Sequence, residues 1–283
     1  MGLIWRLYME HIILSLTSHQ PRFKTLSLCF SRLLNQTRTV DRIILYLEQD
    51  VSLSQIPDEV LELQNHGVEI RITPWNLKPH TKYYYAMQEY QDSIIITVDD
   101  DVLYDRTLIE TLLQAYHRYP NAVAATRVHR ICFLEDGSLA PYHSWEMEYT
   151  GLHVPSLELF ATGVGGVLYP PNCLPPDTFQ RQNILDLCIY SDDIWLKVMQ
   201  LKMRIPVVYV AMDRVHPETI PGCKESGLYK KNLYEGRNDQ YLNQVFSFYN
   251  INPRQIIFYN DEQESVDKSY LQISARTIDD RNI

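Results

Sequence analysis

Three adjacent carboxylates, Asp99-Asp100-Asp101, directly follow the apolar run Ser93-Ile94-Ile95-Ile96-Thr97-Val98. Like charges set at the end of a buried strand repel one another, so keeping them ionised needs a cation or strong hydrogen-bond donors. In an extended chain Asp99 and Asp101 can turn toward one site. Hard oxygen ligands of this kind suit Mg²⁺ or Mn²⁺ shared with phosphate oxygens. The bland alternative is a solvated acidic loop, which the apolar strand leading into it argues against. A second acidic motif, Ser191-Asp192-Asp193, precedes Ile194-Trp195-Leu196-Lys197-Val198. It has two readings: an N-cap with acids offsetting the helix dipole, or a carboxylate placed to take a proton from an attacking hydroxyl.

The elements that would hold these residues follow from hydrophobic periodicity. Strands are expected at Ile12–Leu16, Arg42–Leu47, Val68–Ile72 and Ser93–Val98. Helices are expected from Pro21 through Leu34, from Pro57 to His66-Gly67, and over Thr81–Gln91. Strands this uniformly apolar are buried on both faces, which marks a mainly parallel sheet flanked by helices. In such α/β sheets the ligand sits at the carboxyl ends of the strands. That rule selects Thr17–His19, Glu48, Pro74–Trp75 and Asp99–Asp101 as candidate pocket residues.

The second half is less regular. Helices are expected over Arg106–Tyr119, within Asn183–Met203 and over Asn238–Tyr249, with strands within Ala122–Phe133 and at Pro206–Val210. Gly163, Gly165 and Gly166 fall in the apolar stretch Leu159–Tyr169. From Asp261 the chain is polar. The default is a single α/β domain over residues 1–260, with halves at 10–101 and 102–260, followed by a polar tail at 261–283.

Composition limits the partners. The chain has 283 residues and a formal net charge of −9, which disfavours nucleic-acid backbones but not a nucleotide held through a metal ion. Five scattered cysteines, with no C-x-x-C pair, form neither a disulfide framework nor a zinc site. A reducing, cytoplasmic location is expected. No run is long and apolar enough to span a bilayer, and no secretory signal is read. Trp5, Leu7 and Tyr8 leave open a peripheral contact with the inner face of the plasma membrane. Twenty tyrosines against eight phenylalanines suit a carbohydrate surface, since a ring can stack on a sugar while its hydroxyl bonds at the edge; a tyrosine-rich composition is the plainer explanation.

Taken in order, Leu14-Ser-Leu-Thr-Ser-His-Gln-Pro-Arg22, Asp41-Arg42-Ile-Ile-Leu-Tyr-Leu47, Lys82-Tyr83-Tyr84, Asp99-Asp100-Asp101 and Ser191-Asp192-Asp193-Ile-Trp195 resemble a bacterial family-2-like glycosyltransferase of the GT-A fold. An Asp-x-Asp triplet alone is a weak signature. The ordered set, with about ninety residues between its acidic motifs, is far more specific. The resemblance covers roughly residues 10–250.

What it implies is a set of roles. Thr17, Ser18, His19 and Glu48 line the nucleobase pocket. Lys82 reaches the donor near its phosphates. Asp99 faces the ribose or the metal, Asp100 lies on the donor side, and Asp101 ligates Mn²⁺ or Mg²⁺, with His216 as a further ligand. Asp193 is the base and Asp192 its alternate. Gly165 and Gly166 let backbone approach the sugar. The implied reaction moves a sugar from a nucleotide donor, a UDP-sugar favoured, to a glycan or lipid-linked glycan hydroxyl with inversion, in surface polysaccharide or lipopolysaccharide synthesis. Two other readings stand beside it: a GT-A-like scaffold that binds glycan or nucleotide without turnover, and a phosphatase built on the same Asp-x-Asp pattern.

Overall fold

The computed structural model describes residues 10–49, 51, 53–223, 236–253 and 256. The first half runs β1 (Ile12–Thr17), α1 (Phe23–Leu33), β2 (Arg42–Glu48), α2 (Asp58–Leu61), β3 (Val68–Thr73), α3 (Thr81–Glu89) and β4 (Ile94–Thr97). This is the expected alternation. Pro21 opens a short 3₁₀ turn, Gln20–Arg22, rather than α1 itself. Gly67 closes the turn Glu62–His66 at a φ of 84°, the left-handed conformation that suits glycine.

β5 (Val102–Leu103), α4 (Leu108–Arg118), β6 (Val123–Ala125), β7 (Val128–Arg130), β8 (Leu159–Ala161) and β9 (Val167–Tyr169) follow. Then come α5 (Arg181–Leu187), α6 (Asp192–Met203), β10 (Val207–Tyr209), β11 (Glu218–Thr219) and α7 (Arg237–Phe248). The stretch from Asn183 to Met203 therefore belongs to two helices, α5 and α6. The N-terminal aromatic segment with Trp5, Leu7 and Tyr8, and the tail from residue 261, lie outside the described residues.

Seven strands form the central sheet, in the order β10-β6-β9-β4-β1-β2-β3. β1, β2, β3 and β4 pair in parallel, as do β10 and β6. β9 runs antiparallel between β4 and β6, so the sheet is mainly rather than wholly parallel. Its apolar run Val167-Leu168-Tyr169 gives no sign of direction. β5 pairs with β11, and β7 with β8, in two small antiparallel ribbons.

Period-2 alternation builds a core on each face. Ile13 points into one face with Tyr46, Tyr83 and Trp195. Ile12, Leu14 and Leu16 point into the other with Leu26, Phe30 and Leu112. Several tyrosines thus serve as core residues. β1 is flanked by β2 on one side and β4 on the other, so the winding reverses between β1 and β4. Ser15 stands opposite Thr97 in that pair, and the residues beyond both strands emerge at one edge. This is where an open α/β sheet forms its crevice.

One buried charge in this frame lies away from that crevice. Lys197 on α6 is 1% exposed, and its Nζ donates to the Leu159 carbonyl of β8 at 2.8 Å. Burial, countered only partly by the Glu158 charge, lowers its pKa to about 7, from an ordinary value of about 10.4. The cost of burying the ammonium is therefore felt in full below pH 7 and fades toward pH 10. Lys197→Met removes that cost. The stability difference, variant minus wild type, is expected to be more positive at pH 6 than at pH 9 by on the order of 1–3 kcal/mol, read from denaturant melts at the two pH values.

Candidate active site

Three segments converge at the crevice. Beyond β1, Ser18 and the turn Gln20–Arg22 present a hydroxyl and a guanidinium. Beyond β4, Asp99, Asp100 and Asp101 follow in succession. From the first turn of α6 come Asp192 and Asp193, where the helix dipole favours negative charge. Ser191 is the N-cap residue of α6, but its side chain makes no cap bond.

The carboxylates divide between two cations. Lys82 of α3 is only 4% exposed, and it is no solvated helix-start lysine. Its Nζ lies 2.6 Å from Asp99 Oδ1 and 2.9 Å from Asp192 Oδ2. Ser15 Oγ donates to the Lys82 carbonyl and ties the start of α3 to β1. Arg22 pairs with Asp100 Oδ1 and, at 3.0 Å, with Asp101 Oδ2. Ser18 Oγ donates to Asp100 Oδ2 at 2.5 Å. Both oxygens of Asp100 are thus spent on the protein, so the structure gives it a bracing role where donor contact was expected. Asp99 and Asp101 each engage a cation through one oxygen.

Aromatic side chains and backbone groups brace these carboxylates from behind. The Asp99 N–H donates to the Tyr104 hydroxyl at 2.8 Å, which in turn donates to the Val164 carbonyl at 3.1 Å. The Ile220 N–H donates to the Asp101 carbonyl at 2.8 Å. His80 is fully buried, with Nδ1 2.9 Å from the Tyr83 hydroxyl and Nε2 2.9 Å from the Cys188 carbonyl just before α6. Burial lowers its pKa to about 4, so it stays neutral and holds the approach to Asp192.

Charge in the cluster is unevenly compensated. Burial opposes ionisation of Asp192, but Lys82 outweighs it and holds that carboxyl below its ordinary value. Asp193 makes no ion pair among the described residues, and Lys82 favours its ionised form only in part. Burial and the adjacent Asp192 charge push it up to about 8. The Gly163 N–H donates to its Oδ1 at 2.9 Å. Two neighbouring carboxyls driven apart in this way divide ionised and proton-exchanging roles between them. Asp101 is likewise raised to about 6, by burial and then by Asp99.

These groups line a cleft of about 1220 Å³. Thr17, Ser18, His19, Glu48, Lys82, Asp99, Asp100, Asp101, Asp192, Asp193 and His216 all border it, so the structure gathers most of the residues singled out in the sequence. Gly165 and Gly166 are not among its lining residues. A Cβ on Gly165 would lie 2.6 Å from Arg127 Cβ, and Gly166 has a φ of 89° with Leu108 close by; both serve backbone packing. Gly163 is the glycine at the site, since a Cβ there would meet Lys82 Nζ at 2.7 Å. Trp75 is 43% exposed and lies under Arg181, outside the lining. Arg22 was visible only as the last residue of the Thr17–Arg22 stretch, with nothing to mark its role. Arg127, His129, Tyr142 and Asn238 also border the cleft and carry no sequence signal.

A divalent ion has a restricted place here. Among the described residues no three His, Cys, Asp or Glu side chains are placed to hold a metal. His216 is exposed, with Nδ1 2.7 Å from the Pro217 carbonyl, and does not complete a ligand set. Asp99 and Asp101 retain partly exposed side chains, at 28% and 19%. Asp101 is raised first by burial and then by the Asp99 charge, and a cation beside the two would favour its ionised form. Two carboxylates with the remaining positions left to phosphate and water is how Mg²⁺ is commonly bound beside a nucleotide. The residues present fit that arrangement.

The sequence model described as Glycosyl transferase family 2 matches residues 19–155, a span running from the His19 turn through Lys82 and the Asp99–Asp101 triplet. That segment belongs to the family, and the chain is a glycosyltransferase with a GT-A-type α/β sheet. No curated protein matches it. Among solved structures, 4-diphosphocytidyl-2C-methyl-D-erythritol synthase from Anaerococcus prevotii is similar at 12% identity and a TM-score of 0.49, over 80% of this chain and 98% of that one. A second structure of an enzyme of that name gives 8% identity and 0.45, over 77% and 96%. S. aureus TarS in complex with UDP gives 11% and 0.44, over 84% and 72%. Likeness at this level bears on neither substrate nor mechanism. No helix among the described residues is long and apolar enough to cross a membrane.

Removing one partner from a buried ion cluster leaves uncompensated charge. Lys82→Met is expected to destabilise the fold by about 3–5 kcal/mol in chemical denaturation. The double variant Lys82→Met/Asp192→Asn should recover part of that loss, because it removes the stranded carboxylate as well.

Proposed function

We propose that the protein transfers a sugar from a nucleoside-diphosphate donor to a glycan hydroxyl, with inversion and with help from a divalent cation. The observation that supports this best is the pairing of an ionised Asp192 with a raised Asp193 in the cleft that also holds Asp99 and Asp101. The donor lies along the carboxyl ends of β1, β2 and β4, with its base toward Thr17, His19 and Glu48. Asp99 and Asp101 would hold Mn²⁺ or Mg²⁺, which when bound offsets charge on the leaving diphosphate. Lys82 keeps Asp99 and Asp192 fixed in position.

The chemistry falls to Asp193. The Gly163 N–H occupies Oδ1, leaving Oδ2 to take the proton of the acceptor hydroxyl. The acceptor oxygen then bonds to the anomeric carbon, and the bond from that carbon to the diphosphate breaks, its electron pair leaving with the diphosphate. One displacement on the opposite face inverts the anomeric centre. The setting proposed is bacterial surface polysaccharide or lipopolysaccharide synthesis, with a UDP-sugar as the first donor to try and a glycan or lipid-linked glycan as acceptor. The single-domain division of the chain at residues 101 and 260 belongs to the same reading.

Two measurements test it. In calorimetry with UDP, GDP and CDP plus Mn²⁺, Asp101→Asn is expected to weaken binding about tenfold or more. Asp193→Asn should abolish transfer and leave binding within about twofold. Failure of every nucleotide to bind would remove the proposal. The pH profile of kcat/KM is the second. A base raised to about 8 is protonated below that pH, so kcat/KM should climb through this region to a plateau above it. A flat profile from pH 6 to 9 would rule out Asp193 as base.

A further inference from the structure

The cleft continues past Asp193 along a wall that the reaction above does not use. His129 on β7, Tyr142 on the turn Tyr142–Ser144, and Asn238 in the first turn of α7 border it. They are 4%, 8% and 8% exposed. Side chains buried to that degree are nearly always hydrogen-bonded at their polar atoms. Among the described residues Asn238 Oδ1 is buried with no partner, and His129 is held through Nδ1.

The Glu148 N–H donates to His129 Nδ1 at 2.9 Å. Glu148 holds a φ of 51°, a left-handed conformation unusual for glutamate, to make that bond. Burial, reinforced by the Arg127 charge, lowers the His129 pKa to about 3. The ring is therefore neutral, and its proton sits on Nε2. The Val128 carbonyl also hydrogen-bonds the ring, and among the described residues no side chain accepts from it. The Tyr142 N–H donates to Asp239 Oδ1 at 2.7 Å, which sets Tyr142 beside the turn that carries Asn238. The Tyr142 hydroxyl itself has no partner among the described residues. Its pKa is raised by burial and then by the Asp193 charge, which puts the phenol within electrostatic reach of the base. Asn238 Oδ1 is buried and unpartnered as well.

The backing is rigid and uncharged. His129 stacks on Phe160 with an interplanar angle of 5°, and Tyr142 meets the same ring edge-on at 5.9 Å. Arg127, on the same wall, is paired with Glu148 at 3.0 Å.

We propose that His129, Tyr142 and Asn238 bind the acceptor, and that the subsite they form takes an uncharged pyranose. Two sugar oxygens accept from the imidazole N–H and the phenol, and one sugar hydroxyl donates to the Asn238 carboxamide. This rests on the reading of Asp193 as the base of a glycosyl transfer. Among the described residues of this wall the guanidinium, Arg127, is already paired with Glu148, so an anionic sugar gains no free cation there and lies toward Asp193.

The test is saturation-transfer NMR on the full chain, with and without UDP and Mn²⁺. The probes are the methyl pyranosides of glucose, galactose and N-acetylglucosamine, set against glucuronic acid and glucose 6-phosphate. At least one neutral pyranoside should bind, and the two anionic sugars should bind less well. Tyr142→Phe and His129→Phe should each weaken that binding about fivefold to tenfold and leave UDP affinity unchanged. Tyr142→Phe deletes only a hydroxyl that bonds to nothing in the described protein, so its thermal stability should match the wild type. The proposal is overturned if no neutral pyranoside binds, if an anionic sugar binds as well, or if Tyr142→Phe binds sugar like the wild type. Loss of UDP binding in the wild type would instead remove the transferase mechanism while leaving the sugar result to be read without nucleotide.

Discussion

A buried lysine between two carboxylates organises the site. Lys82 Nζ stands 2.6 Å from Asp99 and 2.9 Å from Asp192, residues brought in by β4 and α6. Without its charge the buried Asp192 would face Asp99 with no cation to hold it ionised. With it, Asp192 stays ionised, and that fixed negative charge raises the neighbouring Asp193. Burial raises the proposed base first, the Asp192 charge adds to it, and Lys82 on a third element, α3, lowers it in part. Arg22 does the corresponding work on the other side, where it spans Asp100 and Asp101.

The fold makes this geometry available. Strand order reverses between β1 and β4, so chain leaving both strands opens outward at one edge. Antiparallel β9 extends the sheet beyond β4, and the chain entering it passes through Gly163. A side chain at that position would collide with Lys82 Nζ. The close approach lets the Gly163 N–H reach Asp193, so a backbone amide rather than a side chain orients the proposed base. The same cleft then runs from a charged end, suited to a diphosphate, to an uncharged aromatic end.

Much of the first half was legible in the sequence because β1, β2 and β4 are strongly apolar, Pro21 and Pro57 precede helical turns and Gly67 closes one. The acidic triplet could be recognised from Ile94-Ile95-Ile96 running straight into it. Its internal division of labour could not, because whether an aspartate is braced or open depends on Arg22 and Ser18, some eighty residues away. Lys82 reads as a surface lysine at a helix start; only the packing of α3 against β1 turns it inward. Gly165-Gly166 stand out in the sequence as a pair, whereas the glycine whose N–H reaches Asp193 is Gly163, two residues earlier. The direction of β9 and the gathering of His129, Tyr142 and Asn238 are long-range outcomes with no local pattern to reveal them.

The net charge of −9 acquires a location as a result: six acids, Glu48, Asp99, Asp100, Asp101, Asp192 and Asp193, border one cleft with four basic side chains, Arg22, Lys78, Lys82 and Arg127, and burial together with neighbouring acids raises Asp101 and Asp193. On the proposed reading, a divalent cation held by Asp99 and Asp101 would offset part of that charge beside a bound diphosphate. Crystals grown with UDP and Mn²⁺, with diffraction recorded at the manganese absorption edge, test that most directly. The account predicts an anomalous peak in coordination range of Asp101 and the diphosphate, with Lys82 still joining Asp99 to Asp192. Manganese bound elsewhere, or UDP bound outside the cleft, would contradict it.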